Sequence, residues 1–131
     1  MLPGNERISD YVKQYHKTIE NHFAIKQEIN LLKDNLYILN FDTRIQKLEA
    51  DLHSLENDIR WQFSSLSTVI ATIPNEKHRL ILEDFLLYRM PRAKIAADRG
   101  YSYRHTCELI SEFCHRRISS FDGVLNNGTS L

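Results

Sequence analysis

Glycine and proline are scarce in this chain. Of its 131 residues only four are glycine and three are proline, and neither type occurs between Gly4 and Pro74. These two residues interrupt helices and mark most turns, so a long stretch without them predicts long, uninterrupted secondary structure. The first half of the chain is therefore expected to contain few turns.

Cysteine is scarce as well. Cys107 and Cys114 are the only two, and they stand seven residues apart. On one helix that separation corresponds to about 10 Å, which is too long for a disulfide. One helix also cannot bring Cys107, Cys114, His105 and His115 around a single ion. We therefore expect two small apolar side chains in a helix core, and neither a metal nor another cofactor.

Signatures of enzymes and of membrane segments are missing. The sequence has no glycine-rich phosphate loop, no His-Glu-x-x-His or Cys-x-x-Cys motif and no nucleophile elbow. No apolar run approaches the ~20 residues that a transmembrane helix needs, and charged residues follow at once after Asn5. We therefore expect a cytoplasmic protein that is not an enzyme and does not enter a membrane.

Charge is balanced overall, because 17 Lys and Arg residues stand against 17 Asp and Glu residues. A net charge of zero argues against a protein that coats nucleic acid through charge alone. The balance is uneven along the chain. Residues 1–74 contain 8 basic and 10 acidic residues, whereas residues 89–117 contain 7 basic and 3 acidic residues. The positive potential is thus expected in the C-terminal part.

Apolar residues in the first part of the chain follow alternating steps of three and four. This spacing is typical of one long helix with a narrow apolar seam. Two seam residues, Thr18 and His22, are poor core residues. The members of this seam are Ile8, Tyr11, Tyr15, Thr18, His22, Ile25, Ile29, Leu32, Leu36 and Leu39.

A second seam with the same spacing predicts a second long helix. The phase slips between the two seams, so we expect Asn40-Phe41-Asp42-Thr43 to break the helix, with Asp42 or Thr43 capping the next one. The simplest product is an antiparallel helical hairpin with arms about 45 to 50 Å long. The members of the second seam are Ile45, Leu48, Leu52, Leu55, Ile59, Gln62, Leu66, Val69 and Ile73.

Two helices with apolar stripes as narrow as these cannot bury all their apolar residues against each other and need a further partner. We therefore predict that residues 1–73 form an oligomerisation domain, coiled-coil-like in its packing, and that the protein is a homodimer. Polar residues such as Thr18 and His22 at seam positions would then fix register or partner number. The predicted oligomerisation residues are Ile8, Tyr15, Ile29, Leu36, Leu48, Leu52, Leu55, Ile59 and Leu66.

A domain boundary is predicted at Pro74. Proline biases the residue before it away from helix, and Asn75 can cap the helix that follows. Residues 75–121 are expected to form three helices, the last from about Ser102 to Ser120. Residues 122–131 have little to bury and are expected to be disordered. The last helix is expected to bury Thr106 or Cys107, together with Ile110, Phe113, Cys114 and Ile118.

The stretch from Met90 to Cys107 predicts a helix, a glycine turn and a second helix. Ile95 lies where the first helix must press on the second, and Gly100 lies where the chain has to leave that helix with positive φ. Ser102 is a natural N-cap for the second helix. The expected fold is thus all-α, with a helix-turn-helix unit after the hairpin. Such units place the first turns of their second helix in the major groove of DNA.

The second helix of this motif carries side chains suited to duplex DNA. Arg104 can donate two hydrogen bonds to guanine O6 and N7, and Glu108 can accept one from cytosine N4. Tyr103 and His105 are expected to contact a base or an adjacent phosphate. The predicted phosphate contacts are Arg92, Lys94, Arg99, Ser102, Arg116 and Arg117.

From about Leu80 to Phe121 the chain resembles region 4 of sigma-70-type factors. It is more similar still to phage late-gene transcription regulators of the ArpU/RinA/LtrC type. The residues that carry the resemblance are Tyr88, the core Ile95-Ala96 and the turn Gly100-Tyr101-Ser102. The chain departs from the family pattern at Lys94, at Pro91 and at His105-Thr106-Cys107, where the family prefers a glutamate, a small N-cap residue and a Thr-Val pair.

The resemblance implies a sequence-specific regulator, encoded by a phage or prophage, that switches on late genes and helps host RNA polymerase. Its partner would be double-stranded DNA. One alternative is a small-terminase-like packaging protein, which also combines a helix-turn-helix with oligomerising helices. A second alternative is a protein-binding adaptor or antagonist, for example of the phage-satellite type. In that case the helix-turn-helix is degenerate and the hairpin grips a phage or host regulator.

Overall fold

A computed structural model describes residues 6–34 and 41–118 and shows an all-α protein, which confirms the predicted fold class. Within these ranges there are five α-helices and one π-helical segment. No helix among them is long and apolar enough to cross a membrane. The elements are α1 Ile8–Lys33, α2 Phe41–Ile70, α3 Glu76–Leu82, the π-helical segment Glu83–Leu87, α4 Arg92–Arg99 and α5 Tyr103–Cys114.

The chain divides into two compact units whose limits differ from the predicted domains 1–73 and 75–121. Unit 1 comprises Met1–Lys13 and Phe63–Leu131, and unit 2 comprises Gln14–Gln62. Each of the two long helices therefore contributes to both units. Pro74, the predicted domain boundary, lies in a turn inside unit 1.

Unit 2 is an antiparallel pair of helical arms from α1 and α2. Ile29 of α1 packs with Ile45 and Leu48 of α2, and all three side chains are buried. Ile25, Leu32 and Leu52 pack against this cluster and are partly buried. An exposed ion pair joins Arg44 to Glu28 at 3.1 Å. The predicted hairpin packing through alternating seam residues is thus present in unit 2.

The start of α3 follows the sequence prediction closely. Asn75 is the N-cap, and its side chain accepts a hydrogen bond from the backbone N–H of His78 at 3.1 Å. Arg79 reaches back across the turn, and its guanidinium donates to the carbonyl oxygens of Ile73 and Pro74 at 2.7 and 3.2 Å. Two carbonyl groups of the turn between α2 and α3 are in this way satisfied by a side chain from α3.

The π-helical segment Glu83–Leu87 follows α3 directly and was not expected from the sequence. Arg89, just after it, has a φ of 56°, and the backbone N–H of Met90 donates to the carbonyl oxygen of Asp84 at 2.9 Å. Asp84 is itself buried. The segment therefore places a carboxylate inside unit 1, where a buried charge requires a cationic partner.

The turn between α4 and α5 has the predicted chemistry. Gly100 is left-handed, with φ 72° and ψ 30°. The N–H groups of Gly100 and Tyr101 both donate to the carbonyl oxygen of Ala96, which closes the last turn of α4. Ser102 then caps α5, because its Oγ accepts from the backbone N–H of His105 at 3.1 Å. The glycine turn and the serine cap are confirmed.

Backbone hydrogen bonds join the two ends of unit 1. The N–H of Ile8 donates to the carbonyl oxygen of Arg116 at 2.9 Å, and the N–H of Ile118 donates to that of Glu6 at 2.7 Å. The sequence did not predict this closure. The core that it completes contains Ile8, Tyr11, Val12, Leu66, Val69, Ile70, Ile73, Ile81, Leu82, Leu86, Leu87, Ile95, Ala96, Ile110, Phe113 and Ile118.

The ends of the two long helices differ from the expectation. The α1 helix ends at Lys33, short of the end of the predicted seam, whose last members Leu36 and Leu39 lie outside the described residues. The predicted cap at Asp42 or Thr43 is wrong, because α2 already begins at Phe41 and both residues lie in its first turn.

The α5 helix is also shorter than predicted. It ends at Cys114 instead of continuing to Ser120. After it, the backbone of 116–118 pairs with residues 6–8 and so leaves the helical hydrogen-bond pattern. Ile118 is nevertheless buried, as predicted. Phe121 and the tail 122–131 lie outside the described residues.

Candidate nucleic-acid interface

The α5 helix has one buried face and one exposed face. Thr106, Ile110 and Phe113 are buried, which selects Thr106 over Cys107 as the core residue near the start of the helix. Cys107 and Cys114 are half-buried, so Cys114 is less buried than the core residue that the sequence predicted. The four predicted base contacts are all exposed, and they are Tyr103, Arg104, His105 and Glu108.

Arg104 and Glu108 form an ion pair along the exposed face of α5. The guanidinium Nε of Arg104 lies 3.0 Å from a carboxylate oxygen of Glu108. Their side chains are 90% and 62% exposed, so water screens the attraction. Exposed pairs four residues apart on a helix contribute only about 0.3–0.5 kcal/mol, and a stronger partner can replace either member.

Two further predicted DNA contacts are paired in the same way. Lys94 lies 3.1 Å from Asp98 on α4, and Arg116 lies 3.2 Å from Glu112, which is on α5. Both pairs are at least partly exposed and span four residues. Together with Glu108 these carboxylates are the three acidic residues of 89–117, so the excess of positive charge seen in the sequence lies on the other basic residues of that segment.

Arg99 differs from the other predicted phosphate contacts. Its guanidinium donates two hydrogen bonds to the Asp84 carboxylate, at 2.8 and 3.0 Å. Hydrogen bonding to Asp84 raises the pKa of Arg99 above its ordinary value. A two-bond contact to a buried carboxylate cannot be given up for a phosphate without leaving that charge unpaired. The assignment of Arg99 as a phosphate contact is thus corrected to a residue that fixes α4 to the π-helical segment.

The remaining predicted phosphate contacts lie around the ends of α4 and α5. Arg92, at the start of α4, places its guanidinium carbon 4.5 Å from the centre of the Phe85 ring. The side chain of Ser102 already caps α5, and the backbone of Ser102 lies at the start of that helix. Arg117 follows α5 and forms an isolated antiparallel bridge with Arg7. These residues come from the start of α4, from the turn before α5 and from the segment after it.

Tyr103 is exposed at the first turn of α5 and interacts with Cys107 one turn later. Hydrogen bonding with the Cys107 thiol raises the pKa of Tyr103, and the positive charge of Arg92 acts in the opposite direction. Burial raises the pKa of the Cys114 thiol to about 11. Cys114 is therefore a protonated, unreactive thiol at neutral pH, as expected for a packing residue. Among the described residues, no group of His, Cys, Asp or Glu side chains is placed to hold a metal ion.

Sequence reasoning missed a cluster of side chains beside the start of α5. The rings of Tyr101 and His105 are stacked, with centroids 4.6 Å apart and planes 16° apart. The His78 ring lies 6.0 Å from Tyr101 and 6.4 Å from His105, and the Lys77 ammonium lies 4.5 Å from the Tyr101 centroid. We call these four residues the Tyr101 cluster. The only signal in the sequence was the basic pair Lys77-His78 after the cap Asn75, and nothing local connects that pair with Tyr101.

Most of the predicted oligomerisation residues are already covered within one chain. Ile8, Tyr15, Ile29, Leu48 and Leu66 are each no more than 5% exposed. Such side chains have almost no apolar surface left for a second copy. Leu52, Leu55 and Ile59 are half-buried, and Leu36 lies outside the described residues. Any dimer contact must therefore use other surface than the five buried seam residues.

Comparison with known proteins gives no relative for this chain. It matches no family model, no curated protein and no solved structure. Its function is therefore to be inferred from its own residues and their geometry.

Proposed function

We propose that the chain is a sequence-specific DNA-binding regulator that places α5 in the major groove of duplex DNA. The observation that carries the proposal is the geometry around the turn. The α4 helix ends at a left-handed Gly100, Ser102 caps α5, and the side chains of Tyr103, Arg104 and His105 in the first turn of α5 are exposed. These are the helix turns that meet base edges when a helix-turn-helix docks.

Arg104 is the proposed reader of guanine. Its present partner, Glu108, is exposed and four residues away, so exchanging this contact for guanine O6 and N7 costs little. Glu108 would then be released to accept from cytosine N4. The Glu108 carboxylate would also weaken binding to other sequences, because it repels phosphate and base oxygen atoms when no hydrogen-bond donor is present.

Phosphate contacts in this proposal come from Arg92, Lys94, Arg116 and Arg117, with the backbone at Ser102 contributing at the start of α5. Arg99 acts indirectly by holding α4 to Asp84. The resemblance to phage late regulators suggests activation of late genes together with host RNA polymerase, and a homodimer would bind two half-sites. A cytoplasmic location follows from that role.

The decisive experiment is selection of binding sites from randomised duplex DNA by the purified chain, at two salt concentrations. The expected result is an enriched motif, with two half-sites if the protein is a dimer. Arg104→Ala should cost about 1–3 kcal/mol of binding free energy and relax the preference at one base, whereas Lys94→Ala should weaken all sequences alike. Arg60→Ala, an exposed arginine of unit 2, is a matched control and should change neither. Equal, sequence-independent losses for Arg104→Ala and Lys94→Ala would refute the base-reading role.

A protein-binding adaptor is the second candidate, and one observation favours it. Lys94, Arg104 and Arg116 each have an acidic partner four residues away, so these three exposed pairs carry no net charge. Neutral pairs of this kind suit a protein surface better than a phosphate backbone. Absence of DNA binding near physiological salt, with a stable complex to a phage or host regulator, would select the adaptor. A native mass of eight or more subunits would instead favour the small-terminase-like alternative.

A further inference from the structure

The Tyr101 cluster joins three parts of unit 1. Lys77 and His78 come from the first turn of α3, Tyr101 from the turn after α4, and His105 from the first turn of α5. Because His105 stacks on Tyr101 through its ring face, its two ring nitrogens remain at the edge of the stack. Lys77 and His105 are both exposed, and His78 and Tyr101 are half-buried. The cluster thus presents polar nitrogen atoms at the surface on a scaffold of packed rings.

The charge of Lys77 is not neutralised by a carboxylate as those of Lys94, Arg104 and Arg116 are. Its ammonium contacts the Tyr101 ring at 4.5 Å, and among the described residues no carboxylate lies within ion-pair distance of it. Glu112, which lines the same 250 Å³ cavity as His78, is engaged by Arg116 at 3.2 Å. A cation held over an aromatic ring keeps its full charge and loses less conformational freedom when it binds an anion.

The ammonium also lies beside the turn that precedes α5. A Cβ placed on Gly100 would lie 3.8 Å from Lys77 Nζ, so the ammonium is next to the left-handed residue of the turn. The N-terminus of α5 follows within three residues and carries the positive end of its helix dipole. A phosphate bound at the ammonium would therefore lie beside the turn, close in sequence to the N-terminus of α5 and to the two imidazoles of the cluster.

We propose that the Tyr101 cluster binds a phosphate of the DNA strand that flanks the site of α5 in the major groove. Lys77 supplies the charge, the imidazoles of His78 and His105 supply hydrogen-bond donors, and Tyr101 is a positioning residue that aligns Lys77 and His105. The proposal rests on the DNA-binding function proposed above, and it adds α3 to the interface. It also gives His105 a phosphate-binding role in preference to a base-reading one.

The test compares the salt dependence of DNA binding for variants of the full chain, using the duplex that the unaltered protein selects. Log affinity falls linearly with log salt, and each phosphate contact that is lost reduces the magnitude of this slope by about 0.9. Lys77→Gln is expected to lower the slope by about that amount, and Lys77→Arg to restore it. Tyr101→Leu is expected to lower the slope as well, although it removes no charge. Lys47→Gln in unit 2 makes the same charge change at an exposed lysine and is expected to leave the slope unchanged.

Equal slopes for Lys77→Gln, Lys47→Gln and the unaltered chain would overturn the phosphate site while leaving DNA binding through α5 intact. A slope that falls equally for both glutamine variants would also overturn it, because the effect would then be one of general charge. Failure of the unaltered chain to bind any duplex would remove the proposed function and this site together. Thermal unfolding of each variant, matched to the unaltered chain, excludes misfolding as the source of a lost slope.

Discussion

Gly100 stands between α4 and α5 with a φ of 72°, a backbone conformation that costs other L-residues roughly 1–2 kcal/mol. A Cβ there would meet only the far end of Lys77, at 3.8 Å, so the cost lies in the backbone and not in a clash. We predict that Gly100→Ala lowers the free energy of unfolding by about 1–2 kcal/mol in urea denaturation. Gly100→Asn should lose less, because asparagine tolerates this conformation, and equal stability of all three chains would contradict the prediction.

Ionisation of Tyr11 is expected to destabilise unit 1 at strongly alkaline pH. Burial raises the pKa of Tyr11 to about 12 from 10.0, the negative charge of Glu6 adds to the increase, and hydrogen bonding with Ser65 reduces it. The folded chain binds the phenolic proton more tightly than the unfolded chain, so this contribution is complete below pH 10 and is lost as the pH rises to 12. The expected loss is about 2–3 kcal/mol.

Tyr11→Phe provides the control for this prediction. It keeps the buried ring and removes the ionisable group, while the other tyrosines still ionise in both proteins. The free energy of unfolding, measured by urea denaturation across this pH range, should fall more steeply for the unaltered chain than for the variant. Parallel profiles would show that Tyr11 does not titrate differently in the folded protein.

Residues with purely local roles were the ones that the sequence predicted best. Asn75 and Ser102 cap helices through side-chain oxygens that reach N–H groups three residues ahead, and Gly100 ends a helix through its own φ. Each role depends on a few adjacent residues and is therefore visible in the sequence. The partners of Lys77 and Arg99 come from other elements, at 24 and 15 positions along the chain, and no local pattern indicates them.

At the scale of elements, α4 is fixed by the contact of Arg99 with the π-helical segment. Asp84 is buried and accepts both hydrogen bonds from Arg99, whose side chain is 32% exposed. Removing one partner leaves the other charge without compensation. We predict that Asp84→Ala and Arg99→Met each lower the free energy of unfolding by about 1–3 kcal/mol.

A double-mutant cycle separates this contact from other effects of the two substitutions. The double variant Asp84→Ala/Arg99→Met should be more stable than the sum of the two single losses implies, because neither charge is then left alone. Additive losses, measured by urea denaturation, would mean that the two side chains act independently. Lys94→Ala, which breaks only the exposed pair with Asp98, should change stability by less than about 0.5 kcal/mol.

The helices themselves were predictable because their apolar residues recur at helical spacing, as Ile25, Ile29 and Leu32 do in α1. The π-helical segment was not. Its residues Glu83–Leu87 continue the apolar spacing of α3, and a π-turn differs from an α-turn only in which carbonyl accepts each hydrogen bond. Periodicity also does not encode the tertiary contacts of this segment, such as the one between Asp84 and Arg99.

At the scale of the whole molecule, unit 1 depends on residues from both ends of the chain. The backbone of Glu6 and Ile8 bonds to that of Ile118 and Arg116, and the core includes Tyr11 from α1. We predict that the isolated segment 75–121, the domain expected from the sequence, lacks a cooperative thermal transition. The full chain should show one by circular dichroism. A fragment that melts cooperatively at the temperature of the full chain would contradict this expectation.

There is a physical reason why the sequence did not predict which segments of the chain form unit 1. Pro74 and Asn75 give a strong local signal for a new helix, and that signal is correct. It carries no information on whether the helices on its two sides share one core. Contacts between residues more than a hundred positions apart, such as Glu6 and Ile118, decide that question.

The closure of unit 1 through Glu6 and Ile118 has a kinetic consequence. Residues up to Lys13 belong to unit 1, yet they are connected to the rest of it only through the whole of unit 2. While the chain is intact, these residues meet the rest of unit 1 at the high effective concentration of an intramolecular reaction. One peptide-bond cleavage within unit 2 would make their association bimolecular, and dilution would then oppose it. A protease acting on unit 2 would thus loosen the core that supports α5 without cutting α5 itself.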